Sequence, residues 1–83
     1  MNKKMLRQKV REVLALQPGY GKTEKFLHQA VNNLCGGGQS LQDIRDAVEW
    51  NHSEALIRSA KDDEADETLW YITEAGLAKQ AIR

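Results

Sequence analysis

Two short interruptions, Gln17-Pro18-Gly19 and Gly36-Gly37-Gly38, divide the first half of the chain into three segments and set the length of any helix each can hold. Pro18 cannot donate to a helical hydrogen-bond ladder and turns Gln17 away from helical angles, so a helix arriving from the N-terminus stops there. The glycine triplet allows left-handed backbone angles at the end of the second segment at no steric cost. Each segment repeats apolar residues at helical spacing. Between Asn2 and Leu16 these are Met5, Leu6, Val10, Val13, Leu14 and Leu16, with Lys, Arg and Gln among them. Thr23 is placed to cap a second helix whose stripe is Phe26, Leu27, Ala30, Val31 and Leu34, closed by Cys35. Ser40, with Asp43 three residues on, starts a third helix that buries Leu41, Ile44, Ala47 and Val48 and runs through Trp50 towards His52.

Past His52 the pattern changes. The stretch Ala55-Leu56-Ile57-Arg58-Ser59-Ala60 reads equally as the last turns of a helix or the first strand of a hairpin. Lys61 to Glu67 is polar and acidic and is expected to be a long turn, whereas Thr68-Leu69-Trp70-Tyr71-Ile72 has the β-branched and aromatic character of a strand. Thr73 and Glu74 then open a short closing helix carrying Ala75, Leu77, Ala78 and Ala81. Trp50 and Trp70, the largest apolar groups, are expected to anchor the core. The expected fold is mainly α with a small β-hairpin, in one domain spanning residues 1–83.

A chain of 83 residues holds one hydrophobic core and buries only about two thirds of its surface, which leaves little room for a deep catalytic cleft. Cys35 is the single cysteine, so an intrachain disulfide and a thiolate zinc cluster are both excluded, and a reducing, cytoplasmic setting is expected. No apolar run approaches the roughly 20 residues of a membrane helix, and no signal-peptide stretch is visible. His28 and His52 have no metal ligands or nucleophile at a useful spacing, so no catalytic residues, metal, cofactor or small-molecule ligand are expected. Gly21-Lys22-Thr23 before a helix has the ending of a phosphate-binding loop, but that motif needs glycine six residues before the lysine, where Leu16 stands, and a strand ahead of it. The segment is read instead as a helix-capping turn.

The formal net charge is zero, yet its distribution is uneven. Lys3, Lys4, Arg7, Lys9, Arg11, Lys22 and Lys25 make the first part of the chain basic, whereas Asp43, Asp46, Glu49, Glu54 and the run from Asp62 to Glu67 make the second part acidic. Opposite poles of this kind suit association with nucleic acid at one end, with a basic protein at the other, or between two copies of the chain.

The phrase Leu69-Trp70-Tyr71-Ile72-Thr73-Glu74-Ala75-Gly76 resembles the strand-to-helix junction of winged helix-turn-helix proteins of bacterial and phage type, and the order helix, helix, glycine turn, helix, hairpin, helix is similar to theirs over nearly the whole chain. The resemblance implies three helices, a two-stranded wing and a short C-terminal helix, in a non-enzymatic module that binds DNA in transcription regulation. Thr23 to Leu34 would be the positioning helix and Ser40 to Trp50 the recognition helix, whose early exposed residues meet base edges in the major groove. On that pattern Gln42 and Arg45 suit adenine and guanine edges, and Gln39 and Ser40 reach phosphates through the helix N-terminus. Lys22, Lys25 and the basic face Lys3, Lys4, Arg7 and Arg11 add phosphate contacts. Asp43, Asp46, Glu49 and the acidic wing suit a basic protein instead, so a protein-interaction module is the alternative. The two readings differ in where the positive field lies: DNA binding is favoured if the basic face of the first helix sits beside the N-terminus of the third.

Overall fold

A computed structural model of the chain describes residues 2–81; the side chain of Ala81 lies outside what is described. The elements run α1 (Lys3–Ala15), α2 (Glu24–Leu34), α3 (Leu41–Ser53), β1 (Ile57–Asp62), β2 (Glu67–Ile72) and α4 (Glu74–Ala81). This is the winged helix-turn-helix architecture, mainly α with one antiparallel hairpin. Each helix start has a side chain that accepts an amide left over at the first turn. Asn2 accepts from Met5, Thr23 from Phe26, Ser40 from Asp43 and Thr73 from Gly76.

Two helix ends use the same left-handed device with different residues. At the end of α2, Gly36 takes φ +78°, and the Gly36 and Gly37 amides donate back to the carbonyls of Asn33 and Asn32. At the end of α3, Ala55 takes φ +58°, and the Ala55 and Leu56 amides donate to His52 and Asn51. Both patterns tie the last open carbonyls of the helix. The second turn sends the chain into β1, so Ile57 to Ala60 is strand rather than further helix. A left-handed alanine is strained where glycine is not. Ala55→Gly is therefore expected to stabilise the domain by about 0.5 to 1 kcal/mol, read as a higher urea midpoint with an unchanged slope; a lower midpoint would contradict the strain.

The core is built around α1, which packs against α2, α3, α4 and β2. Leu6, Val10, Val13 and Leu14 of α1 meet Leu27 and Val31 of α2, Ile44, Ala47 and Val48 of α3, and Ile57 and Ile72 of the hairpin. The expected apolar stripes were too broad: Met5, Leu16, Phe26, Leu34 and Leu41 are exposed. In a domain this small the edge of each stripe has nothing left to pack against.

The hairpin pairs Ile57 with Ile72 through to Asp62 with Glu67. Lys61, Asp62 and Glu67, expected in the turn, thus belong to the strands, and the turn is only residues 63–66. Asp62 takes the place of a backbone turn partner, its Oδ1 accepting the amides of Glu64 and Ala65. The other edge of β2 is met by Lys22, whose amide and carbonyl both bond to Trp70 (3.0 and 2.8 Å). Residues 19–23 are therefore more than a capping turn, since they add a one-residue strand to the sheet. Gly21 is required there, because a Cβ would lie 2.6 Å from the Tyr71 ring.

Candidate nucleic-acid interface

The candidate surface is the exposed side of α3 with its two flanks. One flank is the N-terminal end of α1. Asn2, Lys3, Leu6 and Arg7 face Asp43, Asp46 and Ala47 across a cavity of about 540 Å³. The basic residues Lys3 and Arg7 therefore stand beside the first half of α3. Arg7 is further held by its guanidinium, 4.4 Å from the centre of the Trp50 ring, so Trp50 is capped by a cation at the edge of the core rather than enclosed in it. Lys4 is exposed one step round the helix.

The other flank is a crevice between α2, α3 and the wing. Glu24, Arg45, Val48, Glu49 and His52 surround the half-buried Trp70, with the His52 ring meeting the indole edge-on at 5.2 Å. Trp70 also packs against the core, as expected. A neighbouring hollow joins Thr23, Glu24 and Lys25 to Glu67 and Thr68 of the wing. Lys25 is thus at the wing side of α3, across that helix from Lys3 and Arg7.

On α3 itself the candidate base readers are exposed but each has an acidic partner. Arg45 Nε donates to Glu24 Oε1 at 2.7 Å, and Gln42 Nε2 donates to Asp46 Oδ1 at 2.8 Å. The bond to Glu24 raises the Arg45 pKa above its ordinary value, so the cation is secure. Ser40 spends its hydroxyl on capping, and Gln39 is half-buried with its backbone amide donating to Asn32 Oδ1 at 2.9 Å. Lys22 is drawn away from α3: its Nζ donates to Gln17 and lies 4.9 Å from the centre of the Phe26 ring.

Arg11 requires a correction. Helical spacing places it on the same face as Lys4, yet it is 6% exposed and turned inward. Its Nη1 donates to Asn51 Oδ1 at 2.9 Å and its Nε to Gln80 Oε1 at 3.2 Å, so it joins α1 to α3 and α4 and is not on the basic surface. Burial pushes its pKa down from the ordinary value, although an arginine keeps its proton at any physiological pH. Asn51, which the sequence reading passed over, is fully buried and gives its two amide protons to the carbonyls of Arg7 and Ala47. The signal was present, since Asn51 continues the Ile44, Ala47, Val48 stripe one step further and so falls on a core position.

Among the described residues, no group of three His, Cys, Asp or Glu side chains could hold a metal ion, and no helix is long and apolar enough to cross a membrane.

These elements define a winged-helix fold whose third helix carries both acidic and basic residues on its exposed side. Comparison with solved structures finds a transcriptional regulator of the MarR family from Silicibacter pomeroyi, matched with a TM-score of 0.74 at 17% identity. The match covers 92% of this chain and 46% of the regulator, so the chain spans less than half of that protein's length. At this identity the likeness shows the fold. No family model and no curated protein matches the sequence.

Proposed function

We propose that the chain is a DNA-binding winged-helix module of the transcription-regulator kind, with α3 entering the major groove. The observation that carries this reading is the position of Lys3 and Arg7 beside the first half of α3, where they would grip the phosphates bordering the groove that α3 enters. Gln42 and Arg45 are the base readers in this reading, the first-turn backbone amides of α3 that follow Gln39 and Ser40 take a phosphate, and Lys4 and Lys25 add long-range attraction. Lys22 contributes charge only.

The acidic partners act as internal competitors. An exposed ion pair contributes little net stability, so Arg45 can leave Glu24 for a guanine edge at small cost. The carboxylates nevertheless repel phosphate, and a chain with no net charge has little non-specific affinity. Binding should accordingly be weak and steeply salt-dependent. In a fluorescence-anisotropy titration with mixed-sequence duplex DNA at low salt, Arg45→Glu should weaken binding at least about tenfold. Glu24→Gln should tighten it about threefold or more, because it removes both a competitor and a repelling charge. Absence of binding at low salt by the unaltered chain would overturn the proposal.

A second reading draws on the wing. Asp63, Glu64, Asp66 and Glu67 are exposed around its tip, with Lys61 paired to Asp66 at 3.0 Å, a surface that fits a basic protein better than a polyanion. A chain that fails to bind DNA but retains a partner sensitive to Asp63→Lys and Glu64→Lys would establish that reading instead.

A further inference from the structure

We propose that the chain pairs with a second copy of itself through an apolar face made by the end of α1, the turn that follows and one flank of α2. Leu16, Phe26, Ala30 and Leu34 line a groove of about 360 Å³ together with Val13, Gln17 and Lys22. Leu16 is 75% exposed, Phe26 45% and Leu34 47%, and Tyr20, in the turn two residues before Lys22, is 68% exposed. This inference does not depend on DNA binding.

Three features favour a second copy as the occupant. The first is shape. A two-fold interface uses one patch twice, so the patch must carry both a projection and a recess. Here the exposed Leu16 stands on the rim of a groove with room for a leucine side chain, and the exposed Tyr20 lies in the turn between Gln17 and Lys22, which both line it. The second is charge. Among the described residues no acidic residue lines the groove and Lys22 is its one cation, engaged by Gln17 and the Phe26 ring, so two copies can approach without a strong like-charge penalty. The third is area. The four exposed apolar side chains leave on the order of 450 Å² uncovered, taking about 200 Å² for each when fully exposed. A stable interface buries about 800 Å² per partner, so these residues would supply its apolar centre and Gln17, Pro18 and Lys22 its rim.

The position of the face leaves α3 open. Phe26, Ala30 and Leu34 lie on average about 120° round α2 from Glu24, at 3.6 residues per turn, and Glu24 is the residue that reaches Arg45. A pair joined in this way presents two copies of α3 to whatever α3 binds.

Sedimentation equilibrium of the purified chain, from low to high micromolar concentration and in low and molar salt, tests the proposal. The expected mass rises from 9.4 kDa towards twice that value with concentration. High salt should not weaken the pair, because apolar burial is not screened. Leu16→Asp and Phe26→Asp should each raise the dissociation constant at least about tenfold, with helical circular dichroism unchanged because both positions are already exposed. A monomer at every concentration overturns the proposal, as does a pair that both variants leave intact. A pair that dissociates in molar salt overturns it too, and points to contacts between the basic end of α1 and the acidic wing.

Discussion

Replacing Gly76 with alanine is expected to lower the stability of the domain by about 3 kcal/mol, even though alanine is the better helix former by about 1 kcal/mol. Gly76 is in the first turn of α4, where a Cβ would come within 2.1 Å of the Leu56 carbonyl oxygen and 2.7 Å of Ile72 Cγ1. The first of these is backbone and cannot rotate away. Leu56 O also accepts the Thr73 amide at 3.1 Å, and Thr73 Oγ1 donates to Ala55 O at 2.8 Å while accepting from Gly76. Moving α4 outward to admit a methyl group therefore strains the bonds that hold the end of α3 against the end of β2. That junction sets the angle between α3 and the wing, so the same substitution should loosen both flanks of the candidate interface. Thermal unfolding provides the measurement, with an expected fall of about 12 °C or more for a domain of this size. The sign of the change separates the two effects, because alanine would raise the midpoint if only helix propensity were at work.

The same residues explain why the end of the chain was readable from sequence. Thr73 and Gly76 are local requirements, one for a cap and one for close approach, and a short phrase can carry both. The helix starts at Thr23 and Ser40 were legible for the same reason, as were the stops at Pro18 and Gly36. The end of α3 was ambiguous because Ala55 performs a turn normally marked by glycine, and nothing in the surrounding residues announces a left-handed alanine. The pairing of Lys22 with Trp70 joins residues far apart in the chain, so no local pattern could report it. The charged residues of the wing misled in the opposite direction: Lys61, Asp62 and Glu67 look like turn residues, but a solvent-facing two-stranded ribbon tolerates them.

The candidate interface was legible in its residue types and not in its pairings. Gln42 and Arg45 are exposed on α3, with Ser40 as its N-cap, and where the basic end of α1 lies relative to them is set by packing alone. The acid partners Glu24 and Asp46 change the meaning of Arg45 and Gln42, and the Glu24 contact crosses from one helix to another. Arg11 was misread because a helical wheel of α1 shows a basic stripe but cannot show that α4 covers part of it.

Replacing Asn51 with leucine is expected to destabilise the domain by about 3 kcal/mol, although leucine is apolar and of comparable size. The buried amide of Asn51 serves three partners: the Arg11 guanidinium on its oxygen, and the carbonyls of Arg7 and Ala47 on its nitrogen. Leucine removes all of them and leaves the Arg11 charge with Gln80, at 3.2 Å, as its remaining side-chain hydrogen-bond partner among the described residues. A buried cation that loses a hydrogen-bond acceptor costs more than an ordinary hydrogen bond contributes, so the penalty should come mainly from Arg11 and not from the lost packing of Asn51. The double variant Arg11→Met with Asn51→Leu should then recover about 2 kcal/mol of the loss, since an apolar pair can replace a buried polar one without the desolvation cost. Urea unfolding of the two single variants and the double variant measures this coupling, and strictly additive losses would show that Arg11 does not depend on Asn51. The contact also fixes how α1 crosses α3, because Asn51 on α3 holds the carbonyl of Arg7 on α1. In the recovered double variant that link is gone, so the side chains of Lys3 and Arg7 should keep their charge but lose their fixed place beside α3. Stability restored without restored DNA affinity is the combination expected if the network positions the basic flank as well as holding the fold.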